Sequence, residues 1–208
     1  RSESYGMNVS EDGGAPLDTT LVIYAHVEGL SVDRLRVFSS SCEVDRGGEA
    51  VQDLAGVGVA ESVSYLESLV KGGEGDRATK RRSDGALSAI ALHDDKSADA
   101  VLERVARDGE TKQLRHSAAF WLGNTREGPG YEALIRLRAS SDASFREHLT
   151  FAFSQSKVQQ APSTLIDMAK NDPSPKVRGQ ALFWIAQKAQ KERMPTSSAP
   201  PPWTRTSR

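Results

Sequence analysis

Three arginines and three phenylalanines recur in step along this chain. Arg115, Arg146 and Arg178 each stand five residues before Phe120, Phe151 and Phe183. A guanidinium is planar, permanently charged and carries a rigid fork of donors. A column of three suits either ordered, part-buried pairing inside a fold or ligand binding on its surface. A phenylalanine column has two readings as well. It packs between repeats, or it forms an aromatic stripe that holds a peptide or another apolar ligand. Trp121 and Trp184 share the next column with Ala152 between them. They read as core with the indole N–H bonded, and the smaller Ala152 leaves room for a notch.

Other residue types that carry chemistry are not arranged to do so. The histidines His26, His93, His116 and His148 form no i, i+4 pair and no metal spacing with acids or cysteine. They read as surface residues, although His116 and His148 fall one register position apart in adjacent copies and so share a face. No Gly-x-Ser-x-Gly elbow frames a serine nucleophile. Gly72-Gly73-x-Gly75 lacks the Lys-Ser/Thr of a phosphate loop. Lys80-Arg81-Arg82, with Asp76 and Asp84 beside it, reads as a solvated helix start and not as a nucleic-acid patch. A single cysteine, Cys42, excludes a disulfide framework and a multi-cysteine metal site. The expectation is a non-enzymatic protein with no catalytic residues, no metal and no cofactor. Formal net charge is −1, which gives no bulk attraction to nucleic acid or anionic membrane. No apolar run approaches the roughly 20 residues of a membrane span. The chain begins at Arg1 without a signal-like apolar stretch, so the sequence leaves its compartment open.

The elements that position these columns follow from periodicity. Residues 1–19 are polar and turn-rich and read as a loosely ordered arm, with a short strand around Tyr5–Val9. Residues 20–56 read as a small antiparallel β module. Leu21, Ile23, Ala25 and Val27 alternate with Val22, Tyr24, His26 and Glu28, the period of a strand. Val32–Phe38 supplies a second strand. A third around Glu43–Val44 and a fourth around Ala50–Leu54 would flank a hairpin at Arg46-Gly47-Gly48. Residues 57–75 hold a linking helix, Ala60–Val70, and a Gly-rich loop. From residue 76 to residue 190 the chain repeats. Ile90, Leu122, Phe153 and Ile185 occupy one column at spacings of 32, 31 and 32, and Leu102, Leu134 and Leu165 keep step 12 residues later. The predicted units are helix pairs: 83–92 with 97–107, 114–123 with 130–139, 144–154 with 162–170, and a last unpaired helix at 175–190. On these helices, the positions one before and three, six and seven after each Arg cluster on one arc. The Phe points roughly 150° away from it at 100° per residue. Residues 191–208 are rich in Pro and Ser and read as a disordered tail. The last helix therefore lacks its partner, and the tail, another molecule or further residues should cover its face.

Asp172-Pro173-Ser174-Pro175-Lys176-Val177-Arg178-x-x-Ala181-Leu182 resembles the HEAT-like repeat pattern of a turn Asp, a Pro, then Val-Arg and small residues. The chain as a whole is similar to a group of bacterial HEAT-repeat proteins that join a small β segment to such repeats. The matching stretches include Val32-Asp33-Arg34-Leu35-Arg36-Val37-Phe38, Cys42-Glu43-Val44-Asp45-x-Gly47-Gly48 and Ala60-Glu61-Ser62-Val63. The resemblance implies a mostly α fold, a right-handed α-solenoid of HEAT-like helix pairs with a small N-terminal antiparallel β-sheet. It implies that each column Arg pairs with a turn acid and helix-end carbonyls. Asp172 would serve Arg178, with Asp142 and Asp108 substituting for Arg146 and Arg115. It also implies a bacterial cell-envelope or exported location. The function expected is a protein–protein interaction scaffold with a protein or peptide partner, no nucleic acid and no membrane span. Phe120, Phe151, Phe183, Arg115, Arg146 and Arg178 are the candidate binding residues. The alternatives are a HEAT-like lyase or nucleic-acid-acting protein, and a structural module that docks onto a larger assembly.

Overall fold

The computed structural model describes residues 20–45, 47–48, 50–70 and 77–193. The expected strand at 5–9, the loop at 71–75 and the tail beyond Arg193 lie outside them. Two strands, β1 (Leu21–Glu28) and β2 (Ser31–Ser39), pair antiparallel with Leu21 opposite Ser39 and Val27 opposite Val32. The two-residue connection is Gly29-Leu30, and Gly29 takes a φ of 63° that favours glycine there. Residues 43–45 and 50–54 form no strand, which corrects the four-stranded expectation. Val51 and Leu54 stay exposed, so pairing this segment would bury no apolar face.

Eight helices follow among the described residues: α1 (Val59–Leu69), α2 (Arg77–Ala91), α3 (Lys96–Asp108), α4 (Lys112–Thr125), α5 (Glu127–Leu137), α6 (Ala143–Gln155), α7 (Ala161–Asn171) and α8 (Pro175–Arg193). Their starts are written in the sequence. The Asp95 carboxylate accepts from Ser97 N–H, Thr111 Oγ1 from Leu114 N–H, and Asp142 from Ser144 and Phe145 N–H. Each ties down a donor that would otherwise be unpaired at a helix end. Helix α2 begins earlier than its apolar stripe suggests, and Lys80-Arg81-Arg82 lies within it. Helix α8 continues to Arg193, past the boundary expected at residue 190.

Successive even-numbered helices touch: α2 packs on α4, α4 on α6 and α6 on α8. Among the odd-numbered helices, α3 packs on α4 and α5, and α7 on α6 and α8. Both register columns are core up to α8, where Ile185 is half-buried. Ile90, Leu122, Phe153, Leu102, Leu134 and Leu165 are all buried. Each stabilises the fold by about 1.5–3 kcal/mol of transfer free energy. The β-hairpin closes one end, where Val32 and Leu35 of β2 are buried and β2 packs on α2. That approach requires Gly85, because a Cβ there would lie 2.6 Å from the Leu35 carbonyl oxygen. No helix among the described residues is long and apolar enough to cross a membrane.

Candidate binding groove

The arginine column ties one unit to the next. Arg146 is buried on α6. It donates from Nε and Nη2 to the two carboxylate oxygens of Asp172, at 2.9 and 3.1 Å. Its Nη1 donates to the carbonyls of Ser140 and Ser141. Arg115 on α4 donates from Nη2 to Asp142 at 2.7 Å and lies over the Phe145 ring. Arg178 donates to the carbonyls of Asp172 and Pro173. The carboxylate partner is therefore the aspartate of the following turn, not of the arginine's own turn. Asp172 serves Arg146 and not Arg178, Asp142 serves Arg115, and Asp108 serves none of the three. The reach explains the correction. An arginine side chain projecting from α4 or α6 spans to the neighbouring even helix, while its own turn offers carbonyls closer in.

Burial pushes the Asp172 carboxyl up, but the hydrogen bonds from Arg146 and the Ser174 N–H outweigh it and hold the group below the usual carboxylate range. The hydrogen bond from Arg115 holds Asp142 low as well. All three guanidiniums of the column are thus engaged by groups of the fold.

The phenylalanine column does something else. The rings of Phe120 and Phe151 stack across α4 and α6 with centroids 5.7 Å apart and planes 12° from parallel. Phe151 continues to Trp184 on α8 at 4.9 Å. Phe120 and Phe151 are half-buried, and Phe183 is 47% exposed. The first two thus stack between α4 and α6, as the packing reading expects, and remain half-buried. Ala152 is not a notch. It is buried, and its carbonyl oxygen lies where a Cβ on Gly123 would come within 2.2 Å. The indole nitrogen of Trp184 is buried without an acceptor, contrary to the bonded core indole expected.

His116 and His148 were expected at the surface and instead form part of this row. Their rings stack at 3.9 Å and 3°. The His116 carbonyl accepts from His148 Nε2 at 3.0 Å, which places that proton on Nε2. His148 also meets the Phe151 ring edge-on. Burial is the largest cause that lowers the His116 pKa, to about 4, followed by the neighbouring His148 and Arg115. Burial lowers His148 too, opposed by its bond to the His116 carbonyl. Both rings are neutral at pH 7. Their register offset was legible in the sequence, but the stacking depends on how close α4 and α6 approach.

These side chains line two adjoining depressions of about 460 and 440 Å³. His116, His148 and Phe151 border both. Gln113, Ser117, Phe120 and Trp121 complete the first, and Ser144, Glu147, Gln180 and Trp184 the second. The floor is aromatic and the rim supplies uncharged hydrogen-bonding groups, with Glu147 as the charged lining residue. Such a lining offers aromatic area for apolar contact with a few polar groups beside it. No group of three or more His, Cys, Asp or Glu residues placed to hold a metal ion occurs among the described residues. Cys42 is exposed and stands apart from the groove. Comparison of the chain with protein-family models, curated proteins and solved structures finds no match.

Proposed function

We propose that the chain is a non-enzymatic binding scaffold, a HEAT-like α-solenoid that holds a peptide or protein segment along the face built by α4, α6 and α8. One observation carries the reading: the unbroken row of His116, His148, Phe120, Phe151 and Trp184 across the even-numbered helices α4, α6 and α8, with polar groups beside it of which Glu147 is the charged one. The succession of even helices and the turn aspartates that join them support the HEAT-like character. A groove open along its length suits an extended or helical segment that places apolar side chains into successive depressions. Nucleic acid is disfavoured, because Arg115, Arg146 and Arg178 are engaged and Glu147 is the charge at the rim.

The test is parallel panning of a random peptide display library against wild type, Phe151→Ser and Ser144→Trp. Phe151→Ser removes the central ring. Ser144→Trp fills the second depression from an exposed helix position and leaves the core intact. Wild type should enrich peptides with spaced aromatic or aliphatic residues, and both variants should lose them while keeping a cooperative melt. Enrichment that survives unchanged in Ser144→Trp would exclude the groove as the binding surface.

A further inference from the structure

Helix α8, the last among the described residues, carries the same residue columns as α4 and α6 without the same described neighbours. Three positions after the arginine, Ala118, Leu149 and Ala181 are all buried. One position later the copies part. Ala119 and Thr150 are 0% exposed, whereas Leu182 is 57% exposed. Leu122 and Phe153 are buried, whereas Ile185 is half-buried. Helices α4 and α6 each have the next even helix packed against them, and α8 has none among the described residues.

The charges repeat the pattern. Arg115 and Arg146 each find the aspartate of the turn that leads into the next even helix. Among the described residues Arg178 reaches only the carbonyls of its own turn. Residues 175–190 of α8 hold Lys176, Arg178 and Lys188 and no acid.

We propose that the outer face of α8 docks a helical unit of a partner protein, whose leading turn presents an aspartate to Arg178 and whose apolar helix covers Leu182 and Ile185. The chemistry of the partner is read from the two interior junctions, where an aspartate-led turn and a helix fill this same place. A second copy of this chain fits less well, because the aspartate-led turns at Asp142 and Asp172 already hold Arg115 and Arg146. This surface lies beside the groove and stands or falls separately from it.

A surrogate partner can be supplied within the full chain. Residues 156–187 are duplicated directly after Gln187, so that the inserted block follows α8 as residues 156–187 follow α6, and Lys188 to Arg208 are retained. The inserted copy of Asp172 then meets Arg178. The block should fold, with added helical ellipticity in proportion to its length and an unfolding midpoint raised by about 5 °C. Asp172→Asn in the inserted copy alone should remove about half of that rise, and Leu182→Asp most of it. A block that adds no helix, or a rise indifferent to both substitutions, would overturn the proposal. So would a wild-type dimer in sedimentation that Leu182→Asp converts to monomer, since a second copy would then occupy the face.

Discussion

Replacing each column arginine by methionine should cost three different amounts, although the three stand at equivalent places in the sequence. Arg146→Met leaves the Asp172 carboxylate, whose side chain is 4% exposed, without its counter-charge and frees two carbonyls. Breaking a buried pair from one side costs about 3–5 kcal/mol. Arg115→Met breaks a pair whose side chains are 23% and 37% exposed, worth about 0–1 kcal/mol. Loss of the cation over Phe145 adds about 0.5–1 kcal/mol. Arg178→Met gives up carbonyl contacts at a half-buried site, about 0.5–1 kcal/mol. Urea unfolding followed by helical ellipticity measures all three, and Arg146→Met should lower the thermal midpoint by about 10 °C. Asp172→Asn in the Arg146→Met background should recover part of the loss by removing the stranded charge. The pH response carries a sign. Asp172 sits below its ordinary range when folded, so its contribution is fully present above the unfolded carboxylate pKa and is lost as pH falls through the lower folded value. In Arg146→Met the unopposed burial raises the same carboxyl, so the gap should be widest near neutral pH, narrow as acid protonates the stranded carboxylate, and close as pH falls through the lower wild-type value. Equal costs for Arg146→Met and Arg178→Met would refute the assignment of the aspartates to the following turn.

The stacked histidines predict a second pH window. Folding pushes His116 down from 6.5 to about 4, so the unfolded chain binds the extra proton between those values and stability falls as pH drops through the window. Arg115, Lys112, Asp142, Glu147 and His148 surround the ring and set the slope, and His116→Gln should flatten it in urea titrations at pH 4, 5 and 6.5. Two glycines should answer alanine in opposite ways. Gly123→Ala drives a Cβ to 2.2 Å from the Ala152 carbonyl oxygen and should destabilise by about 2 kcal/mol or more. Gly179→Ala meets nothing within 4 Å on an exposed helix and should stabilise by about 0.5–1 kcal/mol, both read as changes in urea midpoint.

Periodicity made the helical part of the fold legible. The columns of Ile90, Leu122 and Phe153, and of Leu102, Leu134 and Leu165, are core because a buried face must repeat with the helix pair. The third and fourth strands failed because Glu43–Val44 and Ala50–Leu54 carry β-prone residues but no second apolar layer to cover them. The arginine pairing failed for a different reason. Sequence separation favours Asp172 for Arg178, six residues away, whereas packing brings Asp172 to Arg146, 26 residues away. The helical wheel placed the phenylalanines away from the core arc of their own helix, and it has no term for a neighbouring helix that half-covers them. The histidine stack lies beyond single-helix reasoning altogether, because His116 and His148 approach only when α4 and α6 pack.

The residues that line the two depressions neighbour those that join the helices, and this limits how the lining can vary. Arg115 and His116 are adjacent on α4, and Asp142 opens the helix that carries His148 and Phe151. The Arg115 bond to Asp142 therefore fixes the spacing of α4 and α6 at the place where the rings stack. Gly123 fixes the same spacing toward the other end of α4, through its contact with the Ala152 backbone. With both ends set, the distance between Phe120 and Phe151 follows from the backbone and not from the rings themselves. Substitutions at the rim, such as Gln113, Ser117 or Gln180, can then alter the lining of the proposed groove without loosening the stack. Substitutions at Asp142 or Gly123 would change the width of the groove itself.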